Sequence, residues 1–228
     1  MRFNPLNWAG RALRKAGTEL ISLSSHKGTW IDVGAHRGES SLDFACRNPR
    51  LQVFAFEPNL HAAASILGRA SNYIVLPMAV AETDGFAEFH INRIDDASSL
   101  LPMNEESRRS WVGGEVLQLE RTITVPTIRL DTFMNLFSIQ EVDFLKVDAQ
   151  GMDLAVVKSA GVRLRDVARI TIEVDVSPQP IYTGSHSKSE AMEFLEQAGF
   201  ELIQEQKQTY DQEENLTFVR KRIPAEAP

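Results

Sequence analysis

Thr29-Trp30-Ile31-Asp32-Val33-Gly34-Ala35-His36-Arg37-Gly38-Glu39-Ser40 decides how this chain of 228 residues folds. The apolar, β-forming run Thr29–Val33 breaks at Gly34 and Gly38, then leads into Ser40-Ser41-Leu42-Asp43-Phe44-Ala45, which reads as a helix. A buried strand that turns sharply into a helix leaves unpaired backbone N–H groups beside a crevice. The glycines keep side chains out of the space between that backbone and a ligand. Asp32 offers an acceptor at the strand's end. The pattern points to a nucleotide-type cofactor site.

Outward from this stretch, strands and helices alternate. The strand Thr29–Val33 and a helix from about Glu39 to Cys46 are followed by a strand Gln52–Phe56, a helix from about Asn59 to Arg69 and a strand Tyr73–Leu76. The alternation resumes with a helix at Leu130–Phe137, a strand at Phe144–Val147, a helix from about Met152 to Ala160 and a strand at Arg169–Val174. Such alternation implies an α/β fold with a parallel sheet covered on both faces. Ser187-Lys188-Ser189-Glu190 is a capping box that starts a helix ended by Gly199. Phe200–Glu205 and Leu216–Lys221 then read as a closing antiparallel hairpin, with the polar tract Lys207–Asn215 as a long tip. Between these blocks, residues 81–125 form a β-rich insertion after the third strand. Its polar middle, Arg93 to Glu120, has the character of a functional loop. The expected organisation is therefore a helical extension over 1–27, one domain over 28–222 and a tail over 223–228.

Composition narrows the function. A hydrophobic share of 43% and a charged share of 24% are ordinary for one globular domain. A net charge of −7 and a pI near 5.3 exclude a general nucleic-acid binder, which needs a basic footprint. Cys46 has no partner for a disulfide, and no apolar run approaches a membrane span or signal sequence, so a cytoplasmic protein is expected. The segment with Arg2, Arg11, Arg14 and Lys15 beside Leu6, Trp8, Leu13, Leu20 and Ile21 reads as a helix over about 7–23 covering one domain edge. Contact with an anionic membrane or a partner is its alternative use.

Three marks carry the chemistry. Gly34-Ala35-His36-Arg37-Gly38 lacks the middle glycine of the dinucleotide fingerprint, which favours a ligand without phosphates. Glu57, at the end of the second strand before Pro58, can accept both hydroxyls of a ribose; the structural alternative is an acid favoured by the following helix's dipole. Lys146-Val147-Asp148-Ala149-Gln150-Gly151-Met152-Asp153 brings acids and an amide to the mouth of the same crevice, or else caps the next helix through Asp148.

In their order, Trp30–Glu39, Phe54–Pro58, Ala79-Val80, Leu130-Asp131 and Phe144–Asp148 resemble the FkbM family of S-adenosylmethionine-dependent methyltransferases, from about Thr29 to Asp175. The resemblance implies a class I, Rossmann-like methyltransferase sheet of seven strands with the last reversed, S-adenosylmethionine as cofactor, and O-methylation of a hydroxyl on a sugar, glycan or polyketide-type natural product. The cofactor site so drawn comprises Asp32, Gly34, Ala35, His36, Gly38, Glu57 and Pro58, with Met78 and Ala79 beside the adenine. Asp32 is expected to answer the positive charge of the methionine end. Asp148 is the expected base or substrate anchor and Glu173 the second candidate, ahead of His36 and His186. Ser98, Ser99, Trp111, Gln150 and Asp153 are expected to hold the acceptor, and no metal is required. Gln150 and Asp153 stand where the family usually has glutamates, so altered specificity or lost activity follows as a question. The rival readings are a non-catalytic S-adenosylmethionine-binding module and a nicotinamide-dependent oxidoreductase.

Overall fold

The computed structural model describes residues 28–114 and 117–221, so the helix expected over 7–23 and the tail from 223 lie outside the described residues. The described residues begin with β1 (Gly28–Val33), α1 (Leu42–Arg47), β2 (Leu51–Phe56), α2 (Leu60–Ile66) and β3 (Tyr73–Leu76). The insertion follows as β4 (Ala79–Val80), β5 (Gly85–Asn92), α3 (Glu105–Ser110) and β6 (Leu119–Ile128). The chain closes with α4 (Leu130–Leu136), β7 (Phe144–Val147), α5 (Asp153–Lys158), β8 (Arg169–Asp175), α6 (Lys188–Gln197), β9 (Phe200–Gln208) and β10 (Glu213–Arg220).

A seven-stranded sheet runs in the order β3-β2-β1-β7-β8-β10-β9, and β10 is antiparallel to both of its neighbours. The expected α/β sheet with a reversed last strand is therefore present. Because β2 lies on one side of β1 and β7 on the other, strand order reverses at β1, and a ligand crevice opens at the carboxyl ends of those strands. Alternation along each strand gives the sheet two unlike faces. Ile31, Val33, Leu145, Val147, Ile170, Ile172, Leu216 and Phe218 belong to one apolar core with Leu154, Val157 and Leu195 from the helices. On the other face, Trp30 stacks on Phe44 of α1 with ring centroids 4.3 Å apart and meets Phe144 edge-on.

The insertion is ordered rather than a loose loop. Strands β4, β6 and β5 form a second sheet, a 3-10 turn covers Asp95–Ala97, and Asn104 caps α3 by accepting from the backbone N–H groups of Glu106 and Ser107. The closing hairpin also departs from expectation. Its strands extend through Gln208 and resume at Glu213, leaving a one-turn 3-10 connection at Thr209–Asp211. The polar tract paired as strand because its alternate residues face a polar sheet surface, a role that composition alone makes look like a loop. The capping box of α6 forms as expected, with Ser187 and Glu190 each accepting from the other's backbone.

Gly34 is where this architecture is tightest. Its φ is +73°, and a Cβ there would lie 1.9 Å from the carbonyl oxygen of Asp148 at the end of β7. Gly68 has the same φ of +73° with nothing within 4 Å of an added Cβ. Gly34→Ala and Gly68→Ala therefore share a backbone cost of about 1–2 kcal/mol, while only Gly34→Ala forces β1 and β7 apart. Denaturant unfolding should show Gly34→Ala to be the more destabilised by well over 1 kcal/mol; equal losses would show that the strand ends separate freely.

Candidate active site

The site is built on a buried ammonium. In the sheet register Lys146 lies opposite Asp32, and its Nζ sits 3.3 Å from Asp32 Oδ1, 3.3 Å from Asp148 Oδ2 and 3.1 Å from the Gly34 carbonyl oxygen. Burial by itself would discharge this lysine, but the flanking carboxylates of Asp148 and Asp32 outweigh it and hold the ammonium well above its ordinary range. Ser41 donates to Asp32 Oδ2, and the Tyr73 hydroxyl lies 2.9 Å from Ser41 Oγ. Asp32 is 1% exposed and does not reach the cavity wall. Its charge is spent on Lys146, which corrects the expectation that it faces the cofactor directly.

One continuous cavity runs over the strand ends. One end is formed by Gly34, Ala35 and His36, then Glu57, Pro58, Met78 and Ala79. Glu57 is fixed by accepting from the backbone N–H of His36 and of Asn59, both at 2.7 Å, and burial nevertheless raises its pKa. Gly38 is not on the wall; its φ of +79° makes the turn, and a Cβ would stand 2.8 Å from Leu42 Cβ. The insertion roofs this end. Arg37 donates to both oxygens of Asp95, at 2.6 and 3.1 Å, and His36 lies 3.2 Å from Asp95 and 3.2 Å from Glu39. Burial would lower the His36 pKa, but Glu39 and Asp95 outweigh it and raise it. Beside them, Asp96 Oδ1 is buried with no hydrogen-bond partner, and burial raises that carboxyl's pKa.

The other end is carboxylate-rich. Asp148, Gln150 and Glu173 line it, and the Gln150 amide donates to Asp148 Oδ1 at 2.7 Å and to Glu173 Oε2 at 3.1 Å. Tyr182 donates to Gln150 Oε1 at 2.8 Å. Burial, followed by the charges of Glu213 and Asp148, pushes Glu173 well above the usual carboxylate range. Ser98 and Trp111 also line the cavity. Ser98 already accepts from the Asn92 N–H, and Trp111 donates to Ser177 Oγ at 3.3 Å.

Two expected acceptor residues do not reach this wall. Ser99 is a strut that donates to the Gln150 carbonyl at 2.7 Å and accepts from the Leu101 N–H. Asp153 is buried behind the loop, where it accepts from the N–H groups of Ala149, Gly151 and Glu173 and ties the β7–α5 turn to β8. Burial raises its pKa to about 7. The cavity also takes residues that the sequence reading missed: Asp95, Asp96, Tyr182, Gln208, Thr209, Glu213 and Asn215. The signal for the last four was the alternation of polar residues in the tract taken for a hairpin tip. Nothing local marked Tyr182.

A mostly parallel sheet with a reversed last strand, a glycine turn at the switch point and acids at successive strand ends define a class I methyltransferase that uses S-adenosylmethionine. The model of the FkbM methyltransferase domain matches residues 32–202, and the chain belongs to that family. It is 26% identical over 184 residues to the 2-O-methyltransferase NoeI of Sinorhizobium fredii (strain NBRC 101917 / NGR234), covering 76% of this chain and 72% of that protein. Among solved structures, the fold is similar to that of a fibrillarin/Nop5p complex, at a TM-score of 0.53 and 11% identity over 94% of this chain and 84% of that one. It is also similar to the 1,6-didemethyltoxoflavin-N1-methyltransferase of Burkholderia thailandensis, at a TM-score of 0.51 and 15% identity over 94% of this chain and 80% of that one. Among the described residues, no helix is long and apolar enough to cross a membrane.

Lys146→Met leaves Asp32 buried beside no cation, and loss of one partner of a buried pair costs about 3–5 kcal/mol. In urea unfolding, Asp32→Asn together with Lys146→Met should recover part of that loss; additive losses would show that the two charges do not depend on each other. A second expectation concerns pH. Burial raises Asp153 to about 7 and Glu213 to about 8, while unfolded carboxyls titrate near about 4. Between those values the folded chain keeps protons that the unfolded chain has released, so stability falls as pH rises from about 4 to about 8. The urea midpoint should be lower at pH 8 than at pH 5, and a higher one would contradict the burial of these groups.

Proposed function

We propose that this methyltransferase acts on a hydroxyl oxygen of a sugar, glycan or polyketide-type natural product. The observation that carries the reading is the single cavity that joins the Gly34–His36 turn and Glu57 to the buried carboxyl of Glu173. The residues at the first end fit S-adenosylmethionine. The turn offers backbone rather than side chain, and Glu57 retains lone pairs for a pair of ribose hydroxyls beyond the two N–H groups that fix it. Asp32 pairs with Lys146 and lies off the cavity wall, whereas Asp96 is on that wall and its unpartnered Oδ1 is offered to the methionine ammonium. Met78 and Ala79 would flank the adenine, and Pro58 lines the same end.

When bound, S-adenosylmethionine supplies a methyl group activated by its sulfonium. The chain's own residues position an acceptor and receive its proton. Glu173 is the better base, because both Asp148 oxygens are already engaged, one by Lys146 and one by Gln150. Asp148 then acts as the anchor that orients Gln150 and, through it, Glu173. Glu173 is held above the usual carboxylate range by burial and must be ionised to act as base, so turnover should climb as pH rises above that range.

The similarity to a 2-O-methyltransferase supports oxygen as the methylated atom. The match to the FkbM methyltransferase domain favours catalysis over a non-catalytic binding module. Glu57→Gln should raise the calorimetric Kd for S-adenosylmethionine roughly 10–150-fold, the worth of one charged hydrogen bond. Glu173→Gln should leave that Kd within about twofold and lower turnover on an accepted glycoside about 10²–10⁴-fold. Undiminished turnover would remove Glu173 as the base.

A further inference from the structure

Beyond Glu173 the cavity wall carries more polar side chains than proton transfer uses. Asn215 pairs with Glu173 across β10 and β8, and Glu213 pairs with Gln208 across β10 and β9. Residues directly opposite, and those two apart on one strand, project from the same sheet face. Glu173, Glu213, Asn215 and Gln208 therefore share one surface, and all four line the cavity. Glu213 accepts from the Thr209 hydroxyl at 2.5 Å, and Glu173 accepts from the Gln150 amide. Each keeps acceptor capacity to spare. Lys146, the lysine on the cavity wall, has its charge shared between Asp32 and Asp148. Gln208 is 8% exposed, and its Nε2 has no hydrogen-bond partner.

This combination selects among ligand chemistries. An orphaned buried donor calls for an oxygen acceptor, and the adjacent carboxyls call for donors. A hydroxyl is both. An ammonium would satisfy Glu173 and Glu213 but leave Gln208 Nε2 unmet. A carboxylate or phosphate would meet Gln208 yet add negative charge beside Glu173 and Glu213, driving both further toward the protonated form, in which Glu173 cannot receive the acceptor's proton. We propose that Glu173, Glu213, Asn215 and Gln208 form an acceptor subsite for neighbouring hydroxyls of an uncharged sugar ring, and that this subsite rejects anionic acceptors. The proposal rests on the O-methyl transfer reading and adds the acceptor's charge and the residues that select it. The hydroxyl held nearest Glu173 gives that carboxylate its proton as its oxygen gains the methyl group, and Gln208 and Glu213 hold the adjacent hydroxyl in register.

The test uses the whole protein and titration calorimetry in the presence of S-adenosylhomocysteine. The probes are a panel of neutral methyl hexosides and pentosides, the matching methyl uronides, and methyl 2-amino-2-deoxyhexosides. At least one neutral glycoside should bind, and its uronide at least about tenfold more weakly. Gln208→Leu should weaken the neutral glycoside roughly 3–10-fold, the worth of one neutral hydrogen bond, with the S-adenosylmethionine Kd within about twofold. Gln208→Glu should weaken it further, because it replaces a donor with a third acid. Asn215→Leu serves in place of Gln208→Leu if thermal unfolding shows that the latter does not fold. A uronide or amino sugar that binds as tightly as the neutral ring overturns the proposal, as do Gln208 variants without effect. A panel in which no glycoside binds although S-adenosylmethionine does overturns the subsite and leaves methyl transfer standing. Failure to bind S-adenosylmethionine overturns both.

Discussion

The ammonium of Lys146 is the constraint around which the rest is arranged. A lone charge taken out of water costs several kcal/mol, so its burial between β1 and β7 is tolerable only with carboxylates on both sides and a carbonyl at the remaining hydrogen. Those partners come from the ends of two strands far apart in sequence but adjacent in the sheet. Holding them together brings the Gly34 and Asp148 backbones so close that a side chain at position 34 has no room. Charge pairing and the glycine turn are thus one requirement seen from two sides. The same row continues across the sheet, where Lys146 pairs with Thr171 and Thr171 lies 2.9 Å from Thr217. One face of β1, β7, β8 and β10 is apolar core, while the other grades from aromatic packing into a polar wall that ends in the cavity.

The insertion completes the site by attaching to that wall at separate points. Arg37 grips Asp95 above the glycine turn, Ser99 reaches the Gln150 carbonyl, and the single hydroxyl hydrogen of Tyr182 is shared between Gln150 Oε1 and the Ala97 carbonyl oxygen, 2.8 and 2.9 Å away. Trp111 and Leu117 pack with Ala97, Ile181 and Tyr182 in a small core of their own. The Arg37–Asp95 pair is partly exposed and contributes little stability by itself; its consequence is positional. It places the Asp95–Ala97 turn over the Gly34–Gly38 turn.

Sequence legibility follows the range over which each signal acts. The strand-turn-helix at Thr29–Ala45, Glu57 before Pro58 and the acids after β7 were readable because local patterns place them at strand ends. Which way a side chain points and what it meets were not. Asp32 looked available because nothing near it announces Lys146 on a neighbouring strand. Ser98 and Ser99 are adjacent and polar, yet backbone alternation sends one to the cavity and the other to the Gln150 carbonyl. Asp153 sits one turn beyond the loop, and its oxygens satisfy three backbone N–H groups instead of a ligand. The tract from Lys207 to Asn215 was misread because a strand facing a polar cavity has the composition of a loop. Only pairing with β8 reveals it as part of the wall.

The departures at positions 150 and 153 then acquire a physical sense. A glutamate side chain at 150 would place a carboxylate within hydrogen-bond distance of Asp148 and Glu173, where three acids persist only with an extra proton or a bound cation. Glutamine removes that demand. Its two amide hydrogens reach the two carboxylates, and its oxygen accepts from Tyr182, which exhausts the useful capacity of the group. At 153, the shorter aspartate reaches the N–H groups of its own loop and of Glu173, so it braces the strand that carries Glu173. Together the two positions hold Asp148 and Glu173 at fixed spacing without importing a counter-ion, the arrangement that the proposed proton transfer to Glu173 requires.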